Sequence, residues 1–183
     1  MTVHRSLVVL FLGAAFIGTS SLAQAQPRAE IGASLVSATV DLDEDGVSTI
    51  GVPSGGFGLV NPGVFASFFL TNHVAIEPQL GFIWVSNDGD SEHILNFAGQ
   101  VDYFIRGTRE ASPYVFGSAG VVNISDSDYT PKSYGFGGGY RIPVGDRLTF
   151  RVDGRYTRFT SEFGDDDDML AFTLSIGGIF GGR

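Results

Sequence analysis

The sequence predicts an all-β protein: an eight-stranded antiparallel up-and-down transmembrane β-barrel. Three observations predict it. Eight stretches of about ten residues are apolar at alternate positions, which is the period of a strand and not of a helix. The connections between them are alternately short and long, and the long ones are acidic. Lysine, which soluble β-proteins spread over their outer faces and edges, occurs once, at Lys132.

The first segment stands apart from the strands. Arg5 gives a short basic start, Leu7 to Ile17 an apolar run, and Ala23-Gln24-Ala25 a small-residue cleavage site. This is the pattern of a secretory signal peptide over residues 1–25. Its apolar run is shorter than the ~20 residues that a spanning helix needs, so entry into a membrane would be by strands. Residues 26–183 then form one barrel domain. The chain contains no cysteine, so neither disulfides nor thiolate metal sites contribute, and stability rests on strand pairing and packing.

In chain order the strands are expected at about Ala29 to Val40, Phe57 to Leu70, Val74 to Val85, Leu95 to Ile105, Pro113 to Asn123, Ser133 to Pro143, Leu148 to Tyr156 and Leu170 to Phe180. The third gives the cleanest alternation, with Val74, Ile76, Pro78, Leu80, Phe82 and Trp84 against Ala75, Glu77, Gln79, Gly81, Ile83 and Val85. The fourth sets Leu95, Phe97, Val101, Tyr103 and Ile105 against Asn96, Ala98, Gln100, Asp102 and Arg106. In the seventh, Leu148, Phe150, Val152 and Tyr156 oppose Thr149, Arg151, Asp153, Arg155 and Thr157. A slip of one residue would turn every one of those charges outward, so register is strongly specified here. The first and fifth strands have no clear parity. Pro62 and Pro78 cannot donate to a ladder, and each is expected at a bulge or beside an unpaired carbonyl.

An alternating barrel can be soluble with an apolar interior, as in lipocalins, or membrane-bound with an apolar exterior. The polar parity decides, because it mixes Glu77, Asp102, Asp153, Arg141, Arg151 and Arg155 with Gly, Ala, Ser and Thr. Such residues suit a narrow, packed lumen in which acids and arginines neutralise one another. Eight strands enclose a space just wide enough for side chains to fill. A salt-bridged plug is therefore expected, with an ion or proton path gated by the same pairs as the alternative. Aromatic residues gather on the apolar parity near both rims, Trp84 and Tyr156 at one and Tyr103, Tyr140, Phe150 and Phe180 at the other. Girdles of this kind mark the two membrane interfaces.

The segments Leu148-Thr149-Phe150-Arg151-Val152-Asp153-Gly154-Arg155-Tyr156 and Phe172-Thr173-Leu174-Ser175-Ile176-Gly177, with the leader and the alternating connections, make the chain resemble a family. It resembles the small bacterial outer-membrane barrels of the OmpA transmembrane domain, OmpX and opacity-protein type. The resemblance implies location in the outer membrane, contact with its lipid and lipopolysaccharide, and delivery by the barrel-assembly machinery. It also implies an assembly signal in the last strand, at Phe172, Leu174, Ile176 and Phe180. Members of that group usually end on the aromatic residue, whereas here Gly181, Gly182 and Arg183 follow Phe180. A monomer is expected.

With the N-terminus in the periplasm, Thr71 to His73, Gly107 to Ser112 and Val144 to Asp146 become periplasmic turns. Asp41 to Gly56, Ser86 to Glu92, Ile124 to Lys132 and Thr160 to Asp168 become outer loops. Fourteen of the 20 acidic residues fall in those outer loops. That end should repel nucleic acid and attract cations. Asp41-Leu42-Asp43-Glu44-Asp45-Gly46 matches the first half of a calcium loop, so Asp41, Asp43 and Asp45 are the candidate ligands for Ca²⁺ or Mg²⁺. Position twelve is Val52 in place of the bidentate Glu, and solvated acidic loops are the commoner explanation. No other cofactor is expected.

A few eight-stranded outer-membrane barrels modify lipid A with a histidine, a serine and an acid. Here His73 is expected on the periplasmic side, and neighbours such as Ser91, Glu92 and His93 in one strand cannot turn toward one another as a relay requires. Gly135-Phe136-Gly137-Gly138-Gly139 lacks the following helix of a phosphate loop and reads as a strand that leaves room for bulky neighbours. The sequence therefore predicts a non-enzymatic barrel that serves interaction or envelope integrity through acidic outer loops. The alternative is a small passive or gated pore carried by the lumen charges.

Overall fold

The computed structural model describes residues 29–41, 48–51, 63–87, 90–124, 130–160 and 166–181. These contain nine strands: β1 (Ala29–Asp41), β2 (Ser48–Gly51), β3 (Val64–Phe69), β4 (Val74–Asn87), β5 (Asp90–Phe104), β6 (Ser112–Ile124), β7 (Lys132–Val144), β8 (Leu148–Thr160) and β9 (Asp167–Phe180). Each of β3 to β8 pairs antiparallel with the next, and β1 pairs with both β3 and β9, so the sheet closes as an eight-stranded barrel. The ninth strand, β2, is a short ribbon that pairs with Ser37 to Val40 of β1, while β3 pairs with Ala29 to Ala33. The expected signal peptide lies outside the described residues, as do Phe57 to Pro62 of the expected second strand.

Alternation fixes which face is which. Along β5 the buried residues are Asn96, Ala98, Gln100, Asp102 and Phe104, and the exposed ones Leu95, Phe97, Val101 and Tyr103. The apolar side chains face outward and the polar ones inward, the inverse of a soluble barrel. Arg106, expected on the inner parity, lies beyond the end of β5 and is exposed, and the inner row ends on Phe104.

The first strand departs from strict alternation at one point. Its register with β9 shifts between Ser34 and Val36, leaving Leu35 as an extra residue. Leu35 and Val36 are consecutive and both exposed, so Glu30 and Ser34 point inward before the bulge and Thr39 after it. The fifth expected strand, β6, is unclear in parity for another reason. Its buried row includes Tyr114, Phe116 and Val122, while its outer row includes Gly117 and Ala119.

At Pro78 no bulge forms. Val64, Phe65, Phe68 and Phe69 pair with Leu80, Gln79, Ile76 and Ala75 at constant register, and the ladder is interrupted opposite Pro78. A proline without an N–H costs the sheet local hydrogen bonds here and leaves its register intact.

The connections are asymmetric. At one end β3 and β4 are joined by Leu70 to His73, and β7 and β8 by Gly145 to Arg147, where Gly145 takes φ 65°. Between β5 and β6, Gly107 takes φ 93°, a left-handed conformation that glycine adopts without steric penalty. At the opposite end the expected loop from Ser86 to Glu92 is mostly strand, because pairing runs from Val85↔Glu92 to Asn87↔Asp90.

Phe69, Ala75, Phe104, Tyr114 and Phe116 form a buried cluster toward the short-turn end, and Val122, Phe159 and Ala171 form another toward the long-loop end.

Candidate functional site: the charged lumen

The inner residues of the strands converge on a network centred on Glu30 and Arg151. Arg151 donates from Nε to Glu30 Oε1 at 2.8 Å and from Nη1 to Glu77 Oε2 at 2.6 Å. Its Nη2 donates to Ser67 Oγ at 2.8 Å, and the Ser67 hydroxyl donates in turn to Glu77. Glu30 also takes Arg141, whose Nε donates to Oε2 at 2.9 Å. Arg141 Nη1 donates to the Thr108 carbonyl at 2.7 Å, tying the β5–β6 turn to the lumen. Both charged partners of Arg141 and Arg151, Glu30 and Glu77, are with the arginines themselves at most 3% exposed. A charge this deep is tolerated only when paired and hydrogen-bonded.

A second group lies beside the first. Gln79 Nε2 donates to Glu77 Oε1 at 2.7 Å and to Gln100 Oε1 at 2.9 Å, and Gln100 Nε2 donates to Asp102 Oδ1 at 2.6 Å. Arg155 Nη1 donates to Gln79 Oε1 at 3.1 Å, and its Nη2 donates to Gln100 Oε1. Asp153 accepts from the Tyr114 hydroxyl. Among the described residues, no carboxylate reaches Arg155 within ion-pair distance; two amide oxygens hold it instead.

Aromatic rings interleave with the guanidiniums. Arg141 lies 5.2 Å from the Phe69 ring centroid, Arg151 4.6 Å from Phe65, and Arg155 4.9 Å from Phe116. A desolvated cation against a ring face gains further electrostatic attraction. Glycine makes the space these groups occupy. A Cβ at Gly137 would strike the Phe116 ring, and one at Gly139 would strike Asp153 and Tyr114. A cavity of about 20 Å³ is bounded by Glu77, Arg151, Asp153 and Arg155. That holds on the order of one water.

All six charges predicted for the lumen, Glu77, Asp102, Arg141, Arg151, Asp153 and Arg155, lie on inner rows. The network unites Glu77, Arg141 and Arg151 through Glu30, whereas Asp102, Asp153 and Arg155 are held by Gln100, Tyr114 and the two glutamines. Glu30 was missed by sequence reasoning because the Leu35 bulge obscures the parity of β1. The signal that could have found it was its place: Glu30 is the one acidic residue of the expected first strand, Ala29 to Val40, and a carboxylate within a spanning strand belongs on the lumen face.

Elsewhere, Asp41 ends β1, and Asp43 and Asp45 lie outside the described residues. Of the expected assembly signal, Phe172, Leu174 and Phe180 are exposed on the outer wall and Ile176 is half-buried there. Tyr103 and Tyr140 are exposed on the same wall, and Tyr156 packs against Phe136 with centroids 5.2 Å apart. His73 is in the β3–β4 turn with Nδ1 2.7 Å from the Phe104 carbonyl oxygen, a structural contact. His93 is on β5 opposite Trp84 of β4.

A closed barrel with an apolar exterior and a charged, hydrogen-bonded interior is a transmembrane β-barrel. The chain matches, over residues 8–180, the model of the outer membrane protein beta-barrel domain, and it belongs to that family. It is therefore an outer-membrane protein embedded in the lipid bilayer. Among solved structures it is similar to Neisserial surface protein A at 11% identity, TM-score 0.58, covering 84% of this chain and 97% of that one. It is also similar to the N-terminal barrel domain of Pseudomonas aeruginosa OprF, at 14% identity, TM-score 0.49 and coverage of 84% and 97%. A third is the attachment invasion locus protein Ail of Yersinia pestis, at 15% identity, TM-score 0.44 and coverage of 85% and 98%. No curated protein matches the chain.

Proposed function

We propose that the protein is a non-enzymatic outer-membrane barrel that works at the membrane surface, in interaction or envelope integrity, through its acidic outer loops. The observation that supports this reading is Arg151 of β8, held by Glu30 of β1 at 2.8 Å and, across the barrel, by Glu77 of β4 at 2.6 Å. With a cavity of about 20 Å³ beside it, the lumen is occupied by side chains, and function falls to the rims. Planar-bilayer recording of the refolded chain tests this. No unitary conductance is expected; discrete openings altered by Arg155→Leu would return the pore reading.

In this proposal residues 1–25 are removed as a signal peptide, and the short turns at Leu70 to His73 and Gly145 to Arg147 face the periplasm. The last strand, with Phe172, Leu174, Ile176 and Phe180, presents the signal read by the assembly machinery, and the barrel is a monomer. The outer end meets lipopolysaccharide. Because that end is rich in carboxylates and poor in lysine, Ca²⁺ or Mg²⁺ bridges it to lipid phosphates, with Asp41, Asp43 and Asp45 as ligands. Calorimetry of the refolded barrel with Ca²⁺ should give a binding heat. Its absence at millimolar ion would remove the bridging role.

A further inference from the structure

We infer that the β5–β6 turn, residues 105–111, is a strap folded across the short-turn mouth of the barrel and held there by Arg141, so that a segment of backbone shuts this end of the lumen. Of the three described short connections it alone is buried at its middle. Leu70, Asn72 and His73 between β3 and β4 are exposed, as are Gly145, Asp146 and Arg147 between β7 and β8, whereas Gly107 and Thr108 are buried.

The contacts of Arg141 locate the strap. β7 and β3 lie opposite each other, with three strands between them either way round the barrel. The Arg141 guanidinium leaves β7, ion-pairs with Glu30 of β1 at 2.8 Å and stands 5.2 Å from the ring centroid of Phe69 at the end of β3. It therefore crosses the mouth. The Thr108 carbonyl accepts from its Nη1 at 2.7 Å, which puts the middle of the turn over the lumen and not outside the wall. Turns stay on surfaces because their backbone polar groups need partners. Here both are supplied: the Thr108 N–H donates to the Asn72 carbonyl at 2.8 Å, and the Thr108 carbonyl takes a charged donor. The base of the strap is closed by the Arg106 N–H, which donates to Ser112 Oγ at 2.9 Å. Gly107, at φ 93°, makes the bend, and a Cβ there would stand 3.2 Å from the Asn72 carbonyl oxygen. Thr108 and Asn72 both lie outside the strands, so the strap can open without unpairing the sheet.

The chain has no cysteine, and both Thr108 anchors are backbone atoms, so Thr108→Cys keeps them. In the full chain refolded in detergent micelles, where both ends meet water, Thr108→Cys should react with a charged maleimide several-fold more slowly than Arg109→Cys, its exposed neighbour. Arg141→Met should raise the Thr108→Cys rate several-fold and leave unchanged that of Val122→Cys, buried toward the long-loop end. Gly107→Val, which strains the bend and leaves Arg141 in place, should do the same, and it decides the matter if Arg141→Met does not fold. Equal rates at Thr108→Cys and Arg109→Cys overturn the inference. So does an unchanged Thr108→Cys rate in either variant that folds, or a matching rise at Val122→Cys, which would be a general loosening of the barrel.

Discussion

Gly177 of β9 lies directly beneath the carboxylate of Glu30: a Cβ there would stand 2.8 Å from Glu30 Oε1 and 2.8 Å from Thr149 Oγ1. Glu30 has nowhere to retreat, because both its oxygens are fixed by arginines. Gly177→Ala should therefore destabilise the barrel by about 1 to 3 kcal/mol, the usual effect of overpacking. Gly99→Ala on the outer wall, where nothing lies within 4 Å, should leave stability within about 0.5 kcal/mol. Urea titration of the refolded barrel, followed by heat-modifiable migration, measures both. Equal effects would show that Gly177 is not needed for space.

Arg151 and Arg155 lie four residues apart on β8 and both are buried, yet they are held differently. Arg151 ion-pairs with two carboxylates, whereas Arg155 is hydrogen-bonded by two amide oxygens. Arg151→Met leaves Glu77 and part of Glu30 as uncompensated buried charge, an expected loss of about 3 to 5 kcal/mol. Arg155→Met leaves Gln79 and Gln100 still bonded to each other at 2.9 Å, with an expected loss of about 1 to 3 kcal/mol. The ordering of the two urea midpoints checks the assignment. A midpoint for Arg155→Met as low as that for Arg151→Met would mean the amides do not compensate.

At the long-loop end Arg158 donates to both Asp168 oxygens, from Nε at 2.8 Å and from Nη2 at 2.7 Å. The geometry is bidentate, but Arg158 is half exposed, and exposed ion pairs are screened by water and salt. Arg158→Gln should leave the urea midpoint of the barrel unmoved at high salt and nearly unmoved at low salt. A shift comparable to that of Arg151→Met would refute the distinction between rim and lumen.

Legibility in the sequence followed local regularity. The strands β4, β5 and β8 alternate strictly, so their facing, and with it Glu77, Asp102, Arg151, Asp153 and Arg155, could be read from parity alone. Glu30 could not, because one extra residue at Leu35 switches the inward parity of β1 halfway along. Tyr114 and Phe116 escaped for a different reason. Aromatic residues normally mark the lipid face, but here Gly137 and Gly139 on β7 open space for them inside. Of the side chains that complete the network, Gln79 and Gln100 were on the correct face, but partner choice depends on which strands lie across the lumen.

The bulge at Leu35 yields the last expectation. Ser34 pairs with Ser175 and Val36 with Leu174, so Leu35 has no partner of its own on β9. Removing it would bring Ser34 and Val36 into plain alternation, inward and outward, with Glu30 still inward and Thr39 still inward beyond. A one-residue deletion elsewhere in a strand flips every following side chain, whereas deletion of Leu35 leaves each remaining residue on its present face. The deletion variant should fold, migrate as a heat-modifiable barrel, and give a disulfide cross-link between Ile31→Cys of β1 and its register partner Gly178→Cys of β9 at the parental yield. Loss of that cross-link would mean that the added twist of the bulge, rather than facing alone, is required for β1 to meet β9.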